Sequence, residues 1–448
     1  MTELLTINSI EHALVHCYDA PHVYIGYSGG IDSHVLLHLC AYNTVIKAKL
    51  TAVYIHHGLQ VEAESWARHC QETAESLGVG FRVLRVNAEA SQGESPEEAA
   101  RNARYKALKS LMAVNDALLV AQHREDQLET VLLQLMRGSG LRGLSGMPYC
   151  KAFGQGVLLR PLLDVTKQAI NDYAQIHALS WVEDPSNNSS AYDRNFLRNE
   201  VVPLLKQRWP HCDKTVARSA RHCADVQILI SEQAISSLGD IYNEADQTLC
   251  ISQLLLCKPT LQASVVREWF NALNLKMPSQ AFIERLYAEV ISARPDSDPM
   301  LSGQGYCVRR YRDKLYCLKA DLLPDILERH WPIGVDSISI SSGRRLLRLP
   351  SSVGISVAKW QSSVITVKAR RGGEKICLPG RQGSHALKNL FQEAGVPPWE
   401  RETIPLVYLD DKLAAVGDQW ISAEFYSEQR DGCIRLVLEN GEVDTAIN

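Results

Sequence analysis

Val23-Tyr24-Ile25-Gly26-Tyr27-Ser28-Gly29-Gly30-Ile31-Asp32-Ser33 is the stretch on which the reading of the fold turns. Its first five residues form a β-prone run, and the glycine pair makes a turn. Val35, Leu36, Leu37, Leu39 and Cys40 then fall at helical spacing. A strand that passes through a glycine turn into a helix opens a βα unit, and the alternation repeats outward from it. Leu50 to Ile55 reads as a second strand, Glu62 to Leu77 as a helix and Phe81 to Val86 as a third strand. Ser95 as N-cap, Pro96 at the first helical position and Glu98 three residues after the cap mark the next helix start. Ala117 to Ala121 gives a fourth strand, and Glu125 to Met136 another helix. Strands separated by helices require right-handed crossovers and a mostly parallel sheet covered on both faces. The expected fold is a doubly wound α/β domain.

Beyond about Pro203 the pattern changes. Residues 215 to 290 carry helical apolar spacing with little strand character, so a helical second domain is expected. Ser292-Ala293-Arg294-Pro295-Asp296-Ser297-Asp298-Pro299 is a turn-rich break. Tyr306 to Leu318 and Val364 to Val367 then look like strands, and the last hundred residues read as a small α+β domain. A chain of 448 residues with 46% hydrophobic and 22% charged residues can bury cores of this size. With 47 basic and 51 acidic side chains the net charge is −4, so any anionic partner must meet a local basic surface. No run reaches the 18 or so apolar residues of a membrane span, and the N-terminus has no signal-peptide pattern. The twelve scattered cysteines form no C-x-x-C pair or Cys/His cluster, which points to reduced thiols in a cytoplasmic protein.

The loop Ser28-Gly29-Gly30-Ile31-Asp32-Ser33 sits where a doubly wound fold binds ligands, outside the carboxyl end of a strand. Glycines let the backbone approach an anion, Ser28 and Ser33 supply hydroxyl donors, and the helix N-terminus adds its positive dipole end. No G-K-[ST] follows, so the loop is not a Walker A motif. It resembles the S-G-G-x-D-S signature of the PP-loop ATP pyrophosphatases, which cleave ATP between its α and β phosphates. Gly138-Ser139-Gly140-Leu141-Arg142-Gly143 matches G-x-G-x-x-G, but it follows a helix and is rejected as a dinucleotide fingerprint.

Further motifs gather at the same edge. His56-His57-Gly58-Leu59 closes the second strand. Glu98-Ala99-Ala100-Arg101-Asn102-Ala103-Arg104-Tyr105 puts Arg101 and Arg104 three apart on one helix face. Ala121-Gln122-His123-Arg124-Glu125-Asp126-Gln127-Leu128-Glu129-Thr130 does the same for Asp126 and Glu129. Later come Arg137-Gly138-Ser139-Gly140, Asp184-Pro185-Ser186-Asn187 and Tyr192-Asp193-Arg194-Asn195-Phe196-Leu197-Arg198. Together these resemble the tRNA(Ile)-lysidine synthetase family. Arg371-Gly372-Gly373-Glu374-Lys375, Leu387-Lys388-Asn389-Leu390-Phe391 and Val396-Pro397-Pro398-Trp399-Glu400-Arg401 resemble its C-terminal domain. One departure is visible: the family has paired aspartates after the histidine, where this chain has Glu125-Asp126.

The resemblance implies a PP-loop catalytic domain over residues 1–210, a helical substrate- and tRNA-binding domain over 211–320, and a C-terminal tRNA-binding domain over 355–435. It implies ATP and Mg²⁺ as cofactors. The implied partners are L-lysine and a CAU-anticodon isoleucine tRNA, in the cytoplasm and away from membranes; a homodimer is an open alternative. Ser28, Gly29, Gly30, Ile31, Asp32 and Ser33 would cradle phosphate. Asp32, Arg101, Arg104, His123, Asp126 and Glu129 would be catalytic, with either arginine meeting the transferred phosphoryl group. Asp126 and Glu129 suit either Mg²⁺ or the lysine ammonium. His57, Asn195, Arg198, Arg371 and Lys388 would contact substrate. Lys206, Arg208, Lys214, Arg218 and Arg221 form one basic cluster, and Lys368, Arg370, Arg371, Lys375, Arg381, Lys388 and Arg401 another. Trp209 and Trp399 are candidates to stack on splayed bases. The rivals are a PP-loop tRNA thiolase, disfavoured by the missing C-x-x-C, a small-molecule amide ligase, and a nucleotide-sensing tRNA-binding protein without turnover.

Overall fold

A computed structural model describes residues 4–58, 62–87, 96–183, 193–294, 297–319, 326, 328–341 and 343–440. Leu59, Ser95, Asp184 to Asn187, Tyr192, Pro295 and Asp296, named above, lie outside the described residues. The chain falls into two compact units, Met1–Gln233 and Ala234–Asn448.

Six strands build the sheet of the first unit: β1 (Val23–Gly26), β2 (Leu50–His56), β3 (Gly80–Arg85), β4 (Ala117–Leu119), β5 (Cys150–Phe153) and β6 (Gly156–Leu159). Their order is β3-β2-β1-β4-β6-β5. All neighbours are parallel except β5 and β6, an antiparallel hairpin at the edge. That hairpin has no counterpart among the expected strands. Gly154, at φ +61°, makes the turn that an L side chain would strain. Side chains alternate between two cores, as the two-residue period of a strand requires. Val23, Ile25, Ala52, Tyr54, Ala117 and Leu119 enter one, and Tyr24, Val53, Ile55, Leu118 and Leu158 enter the other. The sheet is therefore covered on both faces, as expected.

The helices that matter for the site are α1 (Ile31–Ala41), α2 (Ala63–Ser76), α3 (Pro96–Leu111), α4 (Arg124–Met136) and α5 (Lys167–Ile176). From Ser33 to Ala41 every residue of α1 is buried. The glycine loop is thus fixed to an element inside the core. The chain leaves β3 on one side and returns to β4 on the other side of β1, so the strand order switches between β1 and β4. At such a point the loops diverge and leave a crevice.

The helices expected between 215 and 290 are present: Cys212–Ile241, which runs from the first unit into the second, and in the second unit Pro259–Ala272 and Gln280–Arg285. They pack with a five-stranded sheet into which Tyr242–Asn243 and Thr248–Cys250 also enter. The middle of the chain is therefore mixed α+β around Trp269 and Phe270, because Tyr306–Tyr311 and Lys314–Lys319 need antiparallel neighbours. A separate core holds Trp331 and Trp360, and a third holds Leu387, Leu390 and Phe391. Among the described residues no helix is long and apolar enough to cross a membrane.

Candidate active site

The glycine loop leaves β1 and turns immediately into α1. Gly29 has φ +80°, and a Cβ there would meet Cys70 Sγ at 2.9 Å, so both backbone and space demand glycine. Gly30, the N-cap of α1, has an ordinary φ of −73°, and a Cβ there would find its nearest neighbour at 3.5 Å. Two serines brace the loop: the hydroxyls of Ser28 and Ser33 are 3.1 Å apart, and Ser33 Oγ donates to the Gly30 carbonyl at 2.9 Å. No side chain caps the N-terminus of α1, so its first N–H groups face the crevice.

A cavity of about 560 Å³ opens beside this loop. Val53, Ile55, Leu108 and Val120 give it apolar walls, and Ser28, Gly30, Asp32, Ser33, His57, Arg104, Tyr105 and Gln122 supply polar groups. Its size and mixed lining suit a nucleotide. Of the two candidate arginines, Arg104 lines the cavity, while Arg101 is exposed outside it. Burial first, then the charges of Arg104 and His56, hold the His57 imidazole below its ordinary value, so it is neutral at pH 7.

At the end of β4 the chain opens α4 with a capping box. The His123 N–H donates to Asp126 Oδ2 at 3.0 Å, which fixes Asp126 in the first turn. Around His123 stand three carboxylates: Glu125 at 3.3 Å, Asp126 at 3.5 Å and Asp32 at 3.9 Å. Burial alone would depress this imidazole, but Glu125, Asp126 and Asp32 outweigh it and raise it. Lys167, the first residue of α5, places its ammonium 2.5 Å from Asp32.

Asp126 and Glu129 are brought together as expected, and both are already occupied. Arg198 Nε donates to Glu129 Oε1 at 2.7 Å, Arg194 Nε to Glu129 Oε2 at 2.8 Å, and Arg198 Nη2 to Asp126 Oδ1 at 2.7 Å. The segment Leu197–Val201 is π-helical and follows the helix Asp193–Phe196. Asp126 would rise by burial, but His123, Arg194 and Arg198 hold it below the usual carboxylate range. Glu125 is likewise opposed by burial yet pushed down to about 2 by His123, Lys206 and the Lys167 N–H. Its oxygens meet Lys206 Nζ at 2.7 Å and Lys167 N at 2.9 Å. The first acid of the pair therefore ties α4 to α5.

Three of the four oxygens of Asp126 and Glu129 accept arginine N–H groups and the fourth caps α4, so any cation, Mg²⁺ or an ammonium, would have to displace an arginine to reach them. Among the described residues no group of three or more His, Cys, Asp and Glu side chains is arranged for a metal. Asn195 lies in the same segment as Arg194 and Arg198, half-buried. Arg371 and Lys388 belong to the second unit, both exposed, with Arg371 3.0 Å from Glu328. Trp399 is buried against Tyr316 and Arg309 and cannot stack on RNA, whereas Trp209 is 57% exposed. Lys206, with Glu125, and Arg401, with Tyr311, also serve internal partners. Sequence reasoning passed over Lys167, Arg194, Tyr105, Gln122 and Arg160. Arg194 and Tyr105 stand inside motifs already quoted, whereas Lys167 carries no local signal.

A glycine loop of this form at the switch point defines a PP-loop domain, the class of fold that uses ATP. Residues 4–205 match the PP-loop domain family, 249–316 the TilS substrate binding domain and 365–438 the TilS substrate C-terminal domain. A tRNA(Ile)-lysidine synthase of Methylococcus capsulatus is 40% identical over 406 residues, which cover 90% of this chain and 92% of the relative. One from Xanthomonas campestris is 38% identical over 417 residues, covering 92% and 94%. Among solved structures the chain is similar to a U34-tRNA thiolase of Methanococcus maripaludis, with TM-score 0.41 and 15% identity, covering 48% of this chain and 76% of that one. The chain belongs to the tRNA(Ile)-lysidine synthase family.

Proposed function

We propose that this chain uses ATP to join the amine of L-lysine to C2 of the wobble cytidine of a CAU-anticodon isoleucine tRNA. The observation that supports this most is the meeting, at one switch point, of the cavity-lining glycine loop and the paired-acid helix, whose N-cap His123 stands 3.9 Å from Asp32. In the first step the C2 carbonyl oxygen of cytidine attacks the α-phosphorus of ATP. The bond to the β-phosphate breaks and pyrophosphate leaves. In the second step the lysine nitrogen bonds to C2, the C2–O bond breaks, AMP leaves with that oxygen, and the nitrogen gives up its proton.

The loop from Ser28 to Ser33 holds the leaving pyrophosphate on backbone N–H groups of α1. Asp32 faces those phosphates, a position a carboxylate tolerates only beside a cation, and Lys167 supplies one. Arg104, on the cavity wall, meets charge developing on the transferred phosphoryl group. His57, neutral and at the cavity, contacts the substrate base. Asp126 and Glu129 receive the lysine ammonium, and Arg194 and Arg198 hold them in place and are poised to meet its carboxylate. Asn195 completes that end, and His123 keeps Asp32 and Asp126 in register. Arg371 and Lys388 contact tRNA phosphates. ATP and tRNA meet in the cytoplasm, where this reaction belongs.

Mass spectrometry of nucleosides from tRNA incubated with the protein, ATP and lysine tests the reading. A cytidine heavier by one lysine less water, with one AMP formed per modified tRNA, is expected. AMP formation without modified cytidine would overturn the ligation.

A further inference from the structure

Tyr105, on the cavity face of α3, is surrounded by cations. The guanidinium carbons of Arg101 and Arg104 lie 5.1 and 5.4 Å from its ring centre, and the Lys151 ammonium lies 5.7 Å away. Behind it Arg160, only 3% exposed, follows the end of β6. Its guanidinium donates to Gln122 Oε1 at 2.6 Å and to the Pro148 carbonyl at 2.7 Å, both neutral acceptors. Among the described side chains no carboxylate stands within ion-pair distance of Arg101, Lys151 or Arg160. Lys151 is held below its ordinary value by burial and then by Arg160, with Arg101 adding to it. Crowded like charges and a buried guanidinium without a counter-ion are costly. A fold keeps such a set where an anion completes it.

We infer that Arg101 and Lys151, flanking Tyr105 and backed by the buried charge of Arg160, bind a phosphodiester of the RNA strand that delivers the target nucleotide to the cavity. This deepens the reading of the chain as an enzyme acting on tRNA and rests on it. The nucleotide's own phosphates already have the glycine loop, on β1 and α1. The cation set is built from other elements, α3 and the β5–β6 hairpin. Arg101 and Lys151 are exposed and lie outside the cavity lining, along a path a polymer strand takes and a mononucleotide does not. Arg160, in the buried row, holds Gln122 at the cavity wall and carries the positive charge inward. The edge hairpin thereby becomes part of the RNA-binding surface.

The full-length double variant Arg101→Ala/Lys151→Ala tests this against an isoleucine tRNA transcript and, separately, against ATP without tRNA. Both replaced side chains are exposed, so the fold is kept. Binding of tRNA is expected to weaken about tenfold at moderate salt. The slope of log affinity against log salt should fall by between one and two, since each lost phosphate contact removes roughly 0.7 to 0.9. ATP affinity should stay within about twofold, and Arg101→Lys/Lys151→Arg should restore the slope, because both keep the charge. Loss of ATP affinity with tRNA binding intact would assign the cations to the nucleotide and overturn the inference. An unchanged salt slope would overturn it as well. These outcomes are independent of whether wild-type protein forms modified cytidine, so failure of the ligation reading is told apart from failure of this one.

Discussion

Two regions of the first unit, the head of α4 and the surroundings of Tyr105 on α3, handle charge in opposite ways. At the head of α4, three acids are compensated almost atom for atom: Glu125 by Lys206, Asp126 and Glu129 by Arg194 and Arg198. Around Tyr105, Arg101, Lys151 and Arg160 gather with no carboxylate partner among the described side chains. The first region is complete without ligand, so a cationic substrate must compete with arginines to enter it. The second is electrostatically unfinished and gains from an anion. In the proposed reaction a cationic amino acid meets the first and a polyanionic RNA the second, and the uncompensated cations of the second keep the amino acid away from it.

The compensated side predicts the largest effect. Glu129 is 1% exposed and accepts from both arginines. Glu129→Gln keeps its shape but leaves two guanidinium groups short of a counter-charge. Breaking one partner of a buried pair costs on the order of 3 kcal/mol, and turnover should fall about a hundredfold with far less change in tRNA affinity. Urea unfolding and single-turnover assays measure the two. If Glu129→Gln/Arg198→Gln is no more stable than the single variant, the compensation argument fails.

The glycine loop, after β1, separates a demand of the fold from a demand of the ligand. Gly29→Ala puts a Cβ 2.9 Å from Cys70 Sγ at positive φ, and should cost about 1–3 kcal/mol of stability. Gly30→Val has an allowed φ and room near the backbone, so its melting should stay near wild type while ATP binding drops at least tenfold. Equal ATP affinity in Gly30→Val would remove the backbone cradle.

How much of this was legible in the sequence follows from the same physics. The first four strands and their helices showed themselves because buried parallel strands are apolar runs between turn signals. The β5–β6 hairpin did not, since Lys151-Ala152-Phe153-Gly154-Gln155-Gly156 is short and its edge strand faces solvent. Nor did the long strands Arg344–Ser356 and Tyr426–Asn440, which pair with each other; the first buries only three of its thirteen residues, so no alternation is written into it. In the site, Asp126, Glu129 and Arg198 were readable from spacing and motif. Lys167 was not, because its partner Asp32 lies 135 residues away in sequence. Whether a carboxylate meets a metal or a guanidinium is likewise decided by tertiary contact, not spacing.

Titration sharpens the contrast further at moderate size. Burial, with help from His177 and His34, lowers the His38 imidazole to about 4. The unfolded chain takes up that proton near pH 6.5 and the folded chain does not, so stability is lost as pH falls from about 6.5 towards 4. His123 has the opposite sign: raised by its carboxylates, it stabilises below pH 6.5 and loses that contribution as pH rises through its folded value. His38→Gln should therefore flatten the acid limb of a stability–pH profile, by on the order of 1 kcal/mol at pH 5 after allowing for solvent screening. An acid limb as steep as wild type would show that His38 does not titrate as placed.

The smallest effects are expected in the second unit, where several exposed cations, among them Arg371, Arg381 and Lys412, already have carboxylate partners. Removing everything from Val364 onward is a poor probe, because Tyr426–Asn440 pairs with Arg344–Ser356 and Ile365–Lys368 pairs with Arg329–His330. Truncation would strip partners from strands that remain, and weaker tRNA binding would then report misfolding. Single substitutions avoid this. Lys388 is exposed on the helix Leu387–Glu393, with no carboxylate within ion-pair distance among the described residues, while Arg371 shares its charge with Glu328 at 3.0 Å. A phosphate must compete with Glu328 for Arg371 but has Lys388 to itself. Lys388→Ala should therefore reduce tRNA affinity about threefold and the salt slope by roughly 0.7 to 0.9, and Arg371→Ala by less on both counts. Filter binding at four salt concentrations resolves the difference. If Arg371→Ala has the larger effect, then Glu328 orients that guanidinium towards RNA instead of neutralising it, and Glu328→Gln should weaken binding where simple competition requires it to strengthen.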